Sequence, residues 1–319
     1  MFVTDFLSRQ IDRYNRGRRL SLEQYEQMLP QFEEEKKISK NIFQIYLLGN
    51  NSSVSDVMSK LTAGFVDNIN KLKNNNPEYR YQLISDREAK HFITKYYGTK
   101  IWEYYQRIDK AYLAAKADFL RYLLLYAKGG VYLDLKSTIE YPLSTTLRQD
   151  DRFLLFYWDN MPGGNHNCLI PDYIDKGEML QGFIISAKGH IFLRKVILNV
   201  LASIDQYNPY KSDCGVGWYG TLATVGPAIY TKTIYEAIIR QENVLYRESK
   251  PFAVFGYKVY FAEETYTPGG YLKSLSMKDF RKSSRPVIKS GMKWLQIINV
   301  VWLKFVQIYN RIRVETCGY

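Results

Sequence analysis

The sequence predicts an α/β protein with a mostly parallel central sheet and extra helices at both ends. Short apolar runs near residues 42–48, 79–84 and 131–133 are typical of buried strands. Segments with apolar residues at helical spacing lie between these runs. Strands and helices that alternate in this way build a parallel sheet covered by helices. We therefore expect one α/β domain over residues 37–275.

The two ends of the chain differ from this central part. Residues 1–36 are predicted to form a polar helical segment packed on the domain. Ser21 and Gln24 have the spacing of a capping box at the start of its second helix. Residues 276–319 are predicted to be a basic amphipathic segment.

In the first half of the domain, strands and helices are predicted from apolar runs and from their boundaries. The first strand lies within residues 40–49, and a helix follows over 54–74. A turn then leads to the second strand at 79–84. Asp86 is expected to be the N-cap of the next helix.

A helix, two glycines, a strand and a carboxylate form the central unit of the chain. Apolar residues within 115–126 recur at three- and four-residue spacing and predict one apolar helix face. Gly129 can supply a left-handed cap, and Gly130 lets the chain turn at once. Residues 131–133 are predicted to form a buried strand, and Asp134 falls at its end. This order delivers an acid to the carboxyl edge of the sheet, where α/β proteins bind ligands.

Asp118 and Arg121 lie three residues apart on the predicted helix, so their side chains share one side of it. One interpretation is an ordinary helix salt bridge. The other is a pair of ligand-binding groups, which the following glycines and Asp134 favour.

The second half of the domain continues the pattern. A strand is predicted at 151–157, and His190 is expected to precede a helix over 191–204 as a structural residue. A helix can begin at Gly226, because the proline that follows is tolerated in a first turn. The free amides of that turn could bind an anion, or the residues could serve only as a cap. Strands near 253–261 are expected to close the domain.

Charge and cysteine content restrict the class of protein. The formal net charge is +12, and residues 281–313 carry only basic charges, which favours a local anionic partner such as lipid. No nucleic-acid-binding motif accompanies the charge, so we expect no nucleic-acid partner. The widely spaced Cys168, Cys214 and Cys317 predict free thiols in a reducing compartment. The N-terminus lacks the features of a signal peptide and no apolar run reaches ~18 residues, so we expect a cytoplasmic protein.

The segment from Ala117 to Asp134 resembles the signature of glycosyltransferase family 32, the DXD-motif sugar transferases. That signature is roughly Ser/Ala-Asp-x-x-Arg-Tyr-x-x-Leu-x-x-x-Gly-Gly-x-Tyr-x-Asp-x-Asp, and this sequence follows it until Lys136 replaces the last aspartate. The family includes yeast mannosyltransferases and bacterial capsule and lipopolysaccharide transferases, and the clostridial glucosylating toxins are more distant relatives. Weaker similarity extends over residues 38–265. The resemblance implies a GT-A type domain at 37–275.

The resemblance also implies which residues meet a nucleotide-sugar donor. Asp118, Arg121 and Asp134 would be the catalytic residues. Gln44 to Tyr46 should border the nucleotide base, where Tyr46 either stacks on the base or is a buried core residue. The full set of donor-binding residues expected in this way is Gln44, Ile45, Tyr46, Asp118, Arg121, Gly130, Tyr132, Asp134, Lys136, Gln181, Gly182, Thr224 and Gly226.

The family usually holds Mn²⁺ or Mg²⁺ between carboxylates and the donor diphosphate, so the resemblance implies a metal on Asp134. Lys136 is a departure, because an ammonium replaces a metal ligand. It could weaken metal binding, neutralise the diphosphate itself, or point away from the site.

The resulting hypothesis is a glycosyltransferase that moves a sugar, with retention, from a UDP- or GDP-sugar to a glycan or lipid-linked glycan, in surface polysaccharide synthesis. The alternatives are a toxin-like transferase that modifies proteins and a degenerate relative that only binds carbohydrate. Residues 289–313 combine basic residues with an apolar helical face that carries Trp and Phe, which predicts either peripheral contact with the inner face of the membrane or packing against protein. The oligomeric state is not predicted.

Overall fold

The computed structural model describes residues 2–17, 19–158, 170, 174–211, 215–240, 243–259, 283 and 285–289. Its helices are α1 (Phe2–Arg16), α2 (Leu22–Met28), α3 (Val54–Met58), α4 (Ala63–Asn75), α5 (Asp86–Arg107), α6 (Leu113–Lys128), α7 (Leu143–Thr146), α8 (Ile191–Gln206), α9 (Gly217–Thr224), α10 (Pro227–Ile239) and α11 (Pro251–Phe255). Its strands are β1 (Asn41–Ile45), β2 (Arg80–Ile84), β3 (Gly130–Leu133), β4 (Ser137–Thr138), β5 (Phe153–Leu155), β6 (Phe183–Ser186), β7 (Arg247–Glu248) and β8 (Lys258–Val259).

The main sheet has the strand order β2-β1-β3-β6-β5-β7 in the described part of the chain. β1 pairs in parallel with both β2 and β3, and β5 pairs in parallel with β7. β6 is antiparallel to its neighbours β3 and β5. The predicted α/β class and the mostly parallel sheet are therefore confirmed. β4 and β8 form a separate antiparallel pair.

Alternate residues of β1, β3 and β6 enter two different cores, because side chains of a strand point to opposite faces. Phe43, Tyr132 and Ile184 face the larger core with the buried faces of α5, α6, α8 and α10. Ile42 and Val131 face the smaller core, which includes residues of α4, α7 and α11. Helices thus cover both faces of the sheet, and both cores exclude water from the strands.

Helix α6 is more deeply buried than the sequence suggests. The periodicity predicts one apolar face, but every residue from Ala117 to Ala127 is buried. The helix lies between the sheet, α5, α8 and α9. Even Asp118 and Arg121 are nine-tenths buried or more. A single-sequence pattern could not show this, since the helix meets other elements on all sides only in the tertiary structure.

The N-terminal helices pack on the domain. The predicted capping box is confirmed, because the Ser21 hydroxyl accepts from Gln24 N–H while the Gln24 side chain accepts from Ser21 N–H. The Tyr25 hydroxyl donates to the Asp205 carboxylate of α8 at 2.7 Å. The division of the chain into 1–36, 37–275 and 276–319 remains a prediction.

Two predicted helix features were wrong. The helix expected over 54–74 is two helices, α3 and α4, with a break at residues 59–62. The N-cap of α5 is Ser85 and not Asp86. The Asp86 carboxylate instead accepts from the N–H groups of Leu48 and Gly49, at 2.9 and 3.2 Å, and so fixes the loop after β1.

Predicted strands also differ from the structure, mainly in length. The strand at 151–157 is reduced to β5, and the strand at 79–84 begins one residue later. The strand expected at 253 is part of α11, which ends at Gly256 in the left-handed conformation. Among the described residues of that region, which end at Val259, β8 alone pairs as a strand. Local apolar composition does not separate short strands from buried helices.

The glycine pair at the end of α6 is required by close packing. Gly129 has φ 61° and ψ 176°, so it has the expected positive φ but not the helical ψ of a left-handed cap. A Cβ at Gly130 would lie 2.5 Å from the carbonyl oxygen of Asn41. The turn therefore lets β3 pair directly beside β1.

Several predictions lie outside the described residues: the state of the three cysteines and, beyond Lys289, the structure of the amphipathic segment at 289–313. Within the described part of the chain, no helix has the length and apolar character that a membrane span requires.

Candidate active site

Asp134 directly follows β3, at the sheet edge where the sequence predicts a ligand-binding carboxylate. Its side chain is 22% exposed. The Tyr132 hydroxyl donates to Asp134 Oδ1 at 2.7 Å. The backbone is fixed as well, since Asp134 N–H donates to Gly182 O at 2.9 Å and the Gln44 side chain donates to Asp134 O at 3.2 Å. The carboxylate is therefore held in place yet reachable from solvent.

The guanidinium of Arg121 joins two carboxylates. Its Nη2 lies 2.6 Å from Asp118 Oδ1 and 3.4 Å from Asp134 Oδ1. Its Cζ lies 4.5 Å from the centre of the Tyr132 ring. The pair on α6 is thus not an exposed helix salt bridge, and the structure brings Asp118, Arg121, Tyr132 and Asp134 together as one cluster.

Burial raises the pKa of Asp118 to about 6, although the nearby guanidinium of Arg121 lowers it. A pKa of about 6 favours the ionised form of Asp118 at pH 7. Burial lowers the pKa of Arg121, but Tyr132, Asp118 and Asp134 raise it above its ordinary value, so the guanidinium stays charged.

The second wall of the cluster is the segment before β6. Arg121 Nη1 donates to the Gln181 carbonyl at 2.9 Å. The Gln181 side chain donates to the Tyr122 hydroxyl, which donates in turn to Val225 O at 3.1 Å. Gln181 and Gly182 therefore lie beside Arg121 and Asp134, as the sequence suggests.

The residues expected around a nucleotide base are buried. Tyr46 is 2% exposed and packs among residues of α3, α4 and β2, so the core interpretation describes its position in this structure. Ile45 belongs to the large core. The Gln44 side chain supports Asp134 O and accepts from the Tyr81 hydroxyl at 2.9 Å. In this structure these three side chains are buried, and that of Gln44 contacts Asp134.

Thr224 and Gly226 lie farther from the carboxylates. Both are buried, and Gly226 is the N-cap of α10. The Tyr122 hydroxyl lies 3.4 Å from Gly226 O, so Gly226 is linked to the cluster through Tyr122 and Gln181. The structure does not bring them against Asp134. Gly130 is also a packing residue here.

Lys136 does not point away from the site. Its Nζ lies 3.9 Å from Asp134 Oδ2, and its side chain is 41% exposed. It also borders a cavity of about 400 Å³ whose lining residues are Gly64, Phe65, Asp67, Asn68, Lys71, Leu135 and Lys136. Lys136 therefore contacts the Asp134 carboxylate and also borders the cavity.

The residues present do not fit a divalent ion held by two carboxylates. Asp118 is engaged by Arg121, and Asp134 has Tyr132 and Arg121 at one oxygen and Lys136 at the other. In the described residues, no three His, Cys, Asp or Glu side chains are grouped as a metal site. The expected Mn²⁺ or Mg²⁺ would meet three donors or cations around its one carboxylate.

Two residues near the cluster were missed by the sequence analysis. Tyr122 links Gln181 to the start of α10, and Glu178 is a carboxyl that is only 7% exposed. Burial raises the pKa of Glu178 to about 8, a hydrogen bond from the Trp158 side chain lowers it, and the charge of Asp118 raises it. The position of Glu178 three residues before Gln181 was the available signal.

Comparison with known proteins supports the resemblance. Residues 62–154 match the family described as glycosyltransferase sugar-binding region containing DXD motif. An initiation-specific alpha-1,6-mannosyltransferase of Candida albicans is 25% identical over 244 residues, which are 70% of this chain and 59% of that protein. The Saccharomyces cerevisiae protein of the same name is 35% identical over 158 residues, 40% of this chain and 32% of that protein.

An inositol phosphoceramide mannosyltransferase of Schizosaccharomyces pombe is 31% identical over 124 residues, 39% of this chain and 29% of that protein. The chain therefore spans well under two thirds of the length of these relatives.

Two solved structures are also similar. The glycosyltransferase PaToxG is 16% identical with a TM-score of 0.43, over 75% of this chain and 81% of that one. The UDP-bound glycosyltransferase domain of the YGT toxin is 10% identical with a TM-score of 0.46, over 73% and 82%. The matched residues 62–154 contain the Asp118, Arg121 and Asp134 cluster, so this part of the chain is similar to the glycosyltransferase sugar-binding region that contains a DXD motif.

Proposed function

We propose that this protein is a glycosyltransferase that moves a sugar from a nucleotide-diphosphate sugar to a hydroxyl of a glycan or glycolipid, with retention of the anomeric configuration. One observation carries the proposal. A buried guanidinium joins the Asp118 and Asp134 carboxylates at the carboxyl edge of the sheet, and Lys136, 3.9 Å from Asp134 Oδ2, borders a cavity of about 400 Å³. Paired carboxylates and a guanidinium suit a ligand rich in hydroxyl groups, because they offer charge-assisted hydrogen bonds.

In the proposed reaction, the bond between the anomeric carbon and the diphosphate oxygen breaks, and its electron pair leaves with the diphosphate. The acceptor hydroxyl oxygen bonds to the same carbon from the same face, and its proton passes to an oxygen of the leaving phosphate. Asp118 and Asp134 would accept hydrogen bonds from donor hydroxyls. Arg121 and Tyr132 would keep the two carboxylates in position.

The relatives suggest which sugar to test first, since the three described above are named as mannosyltransferases. We propose mannose as the first candidate sugar and a cell-surface glycan or a lipid-linked glycan as the acceptor. Placement at the inner face of a membrane, through 289–313, belongs to the same proposal.

A donor-hydrolysis assay against a panel of UDP- and GDP-sugars tests the function. We expect turnover of at least one donor by the wild type and turnover lower by about 100-fold or more in Asp134→Ala. Binding of a donor without hydrolysis or transfer to any glycan would favour the degenerate carbohydrate-binding alternative. Transfer to proteins but not to glycans would favour the toxin-like alternative.

A further inference from the structure

We propose that the ammonium of Lys136 takes the place of the divalent ion, so that this site binds a nucleoside diphosphate and releases it without a metal. The inference rests on the proposed function and concerns the charge that meets the leaving group. Lys136 Nζ stands 3.9 Å from Asp134 Oδ2, on the chain two residues beyond Asp134.

A metal would be poorly placed on Asp134. The Tyr132 hydroxyl occupies Oδ1 at 2.7 Å, and Arg121 lies 3.4 Å from the same oxygen. A dication on Oδ2 would face the ammonium of Lys136 at close range, with twice the repulsion of two unit charges. The remaining carboxylate of the cluster, Asp118, is buried and paired with Arg121 at 2.6 Å.

Lys136 has the properties that the leaving diphosphate requires. Its side chain is 41% exposed and borders the cavity of about 400 Å³, so the ammonium can reach a ligand. At 3.9 Å and this exposure, its pairing with Asp134 is weak. Lysine is a common phosphate ligand because it acts as a compact point charge with three donors.

The charges balance without a cofactor. When the glycosidic bond breaks, the nucleoside diphosphate gains one negative charge as it takes the electron pair of that bond. The positive charge of Lys136 is already present and remains on the protein, so no proton or electron is taken from Lys136. A fixed cation at the position where charge develops lowers the barrier to transfer.

The environment of the cavity adds one further observation. The first turn of α4 contributes Gly64 and Phe65 to the lining. The N-cap Thr62 makes no side-chain capping bond, and Asn68 Oδ1 is buried with no hydrogen-bond partner. The helix N-terminus and Lys71 add positive potential to the lining, and Asp67 adds one negative charge.

Calorimetric binding of UDP and GDP in EDTA, and then in Mn²⁺, tests the inference without any turnover. We expect the wild type to bind one of them in EDTA, with affinity that Mn²⁺ improves by no more than about 3-fold. Lys136→Met should lower the affinity for that nucleoside diphosphate by about 10- to 100-fold, the usual range for loss of a charge-assisted contact. The affinity for the matching nucleoside monophosphate should fall by a smaller factor.

Lys100→Met is the matched control, because it removes the same charge from a side chain that is 72% exposed and pairs only with Glu103 among the described ion pairs. It should leave both affinities unchanged. Lys136→Asp restores a carboxylate, so its nucleoside diphosphate binding should become dependent on Mn²⁺. Thermal melting of each variant confirms that it folds.

Two outcomes would overturn this inference alone: wild-type binding that requires Mn²⁺, or Lys136→Met binding that equals the wild type in EDTA. If neither nucleotide binds with or without Mn²⁺, and no sugar donor is hydrolysed, the proposed function fails and this inference fails with it.

Discussion

Gly182 leaves no room for a side chain beside Asp134. A Cβ at this position would lie 3.0 Å from Asp134 Oδ2 and 3.3 Å from the Tyr257 hydroxyl. Gly182 and Asp134 are also joined by the hydrogen bond from Asp134 N–H to Gly182 O at 2.9 Å. The antiparallel pairing of β3 with β6 brings them together, since Leu133 is opposite Phe183. The glycine therefore defines where the carboxylate can stand.

The first prediction follows from this contact. Gly182→Ala should displace the Asp134 carboxylate and lower kcat/KM, because a misplacement of about 1 Å can cost about 100-fold in rate. Steady-state donor hydrolysis measures the effect, and thermal melting should show a folded protein. Gly17→Ala is the control, since a Cβ there meets only Tyr14 O at 3.7 Å. Equal activity of Gly182→Ala and wild type would show that the carboxylate position is not critical.

Asp134→Ala should lower turnover by about 100-fold or more, because it removes a charge from the proposed reacting centre. The fold should survive, since the side chain lies at the edge of the sheet and is partly exposed. Turnover with a panel of donors and the melting temperature are the two measurements. Asp150→Asn changes an exposed acid and should have neither effect. Near-normal turnover of Asp134→Ala at an unchanged melting temperature would contradict the proposed role of Asp134 in the site.

Substitutions of Arg121 and of Asp118 should lower the stability of the folded protein by different amounts. Arg121→Ala leaves two carboxylates without their cation, and breaking a buried pair costs about 3–5 kcal/mol of stability. Asp118→Asn keeps the shape of the side chain and should destabilise less.

Asp118→Asn should raise the donor KM and lower kcat, because the pair is proposed to contact the donor. Urea unfolding and steady-state kinetics on both variants separate the two effects. A loss of only a few tenths of a kcal/mol with unchanged kinetics would identify a plain helix salt bridge.

Glu178 should make stability fall as pH rises. Its pKa is about 8 in the folded protein and 4.5 in its ordinary state, so between these values the folded protein keeps a proton that the unfolded chain has released. The protonated Glu178 therefore contributes its full stabilisation of the folded protein below pH 4.5. That contribution is lost as the pH rises from 4.5 to about 8.

Glu178→Gln should remove this part of the pH dependence, which is on the order of a few kcal/mol. Urea unfolding of both proteins across this interval measures it. Glu103→Gln is the control at an exposed carboxyl. Parallel stability curves for wild type and Glu178→Gln would show that Glu178 is not held in its protonated form.

The segment at 289–313 is tested by flotation with anionic liposomes. If it contacts lipid, the full-length protein should float at low salt, with each Lys or Arg adding about 1 kcal/mol of attraction. A chain that ends at Ser290 should then stay in solution while it retains its melting temperature. If both proteins stay in solution, or the shortened chain unfolds, the apolar face of the segment packs against protein.

The sequence by itself determined the class of fold and the main cluster of candidate site residues. Strand and helix alternation depends on local periodicity, which is visible in one chain. Asp118, Arg121, the glycines and Asp134 lie within one continuous unit, so their relative placement follows from one helix, one turn and one strand.

Tertiary structure decided everything that depends on distant pairs. Arg121 meets the Gln181 carbonyl across 60 positions of the chain, and Tyr122 meets Val225 across 103. Tyr46 is buried because α3 and α4 pack over it, although its sequence context also allowed an exposed ring. The direction in which Lys136 points was open in the sequence, because the strand ends before it. The path of the chain beyond β3 brings the ammonium of Lys136 to the Asp134 carboxylate. Strand register and helix packing set all these contacts, and no local sequence pattern contains them.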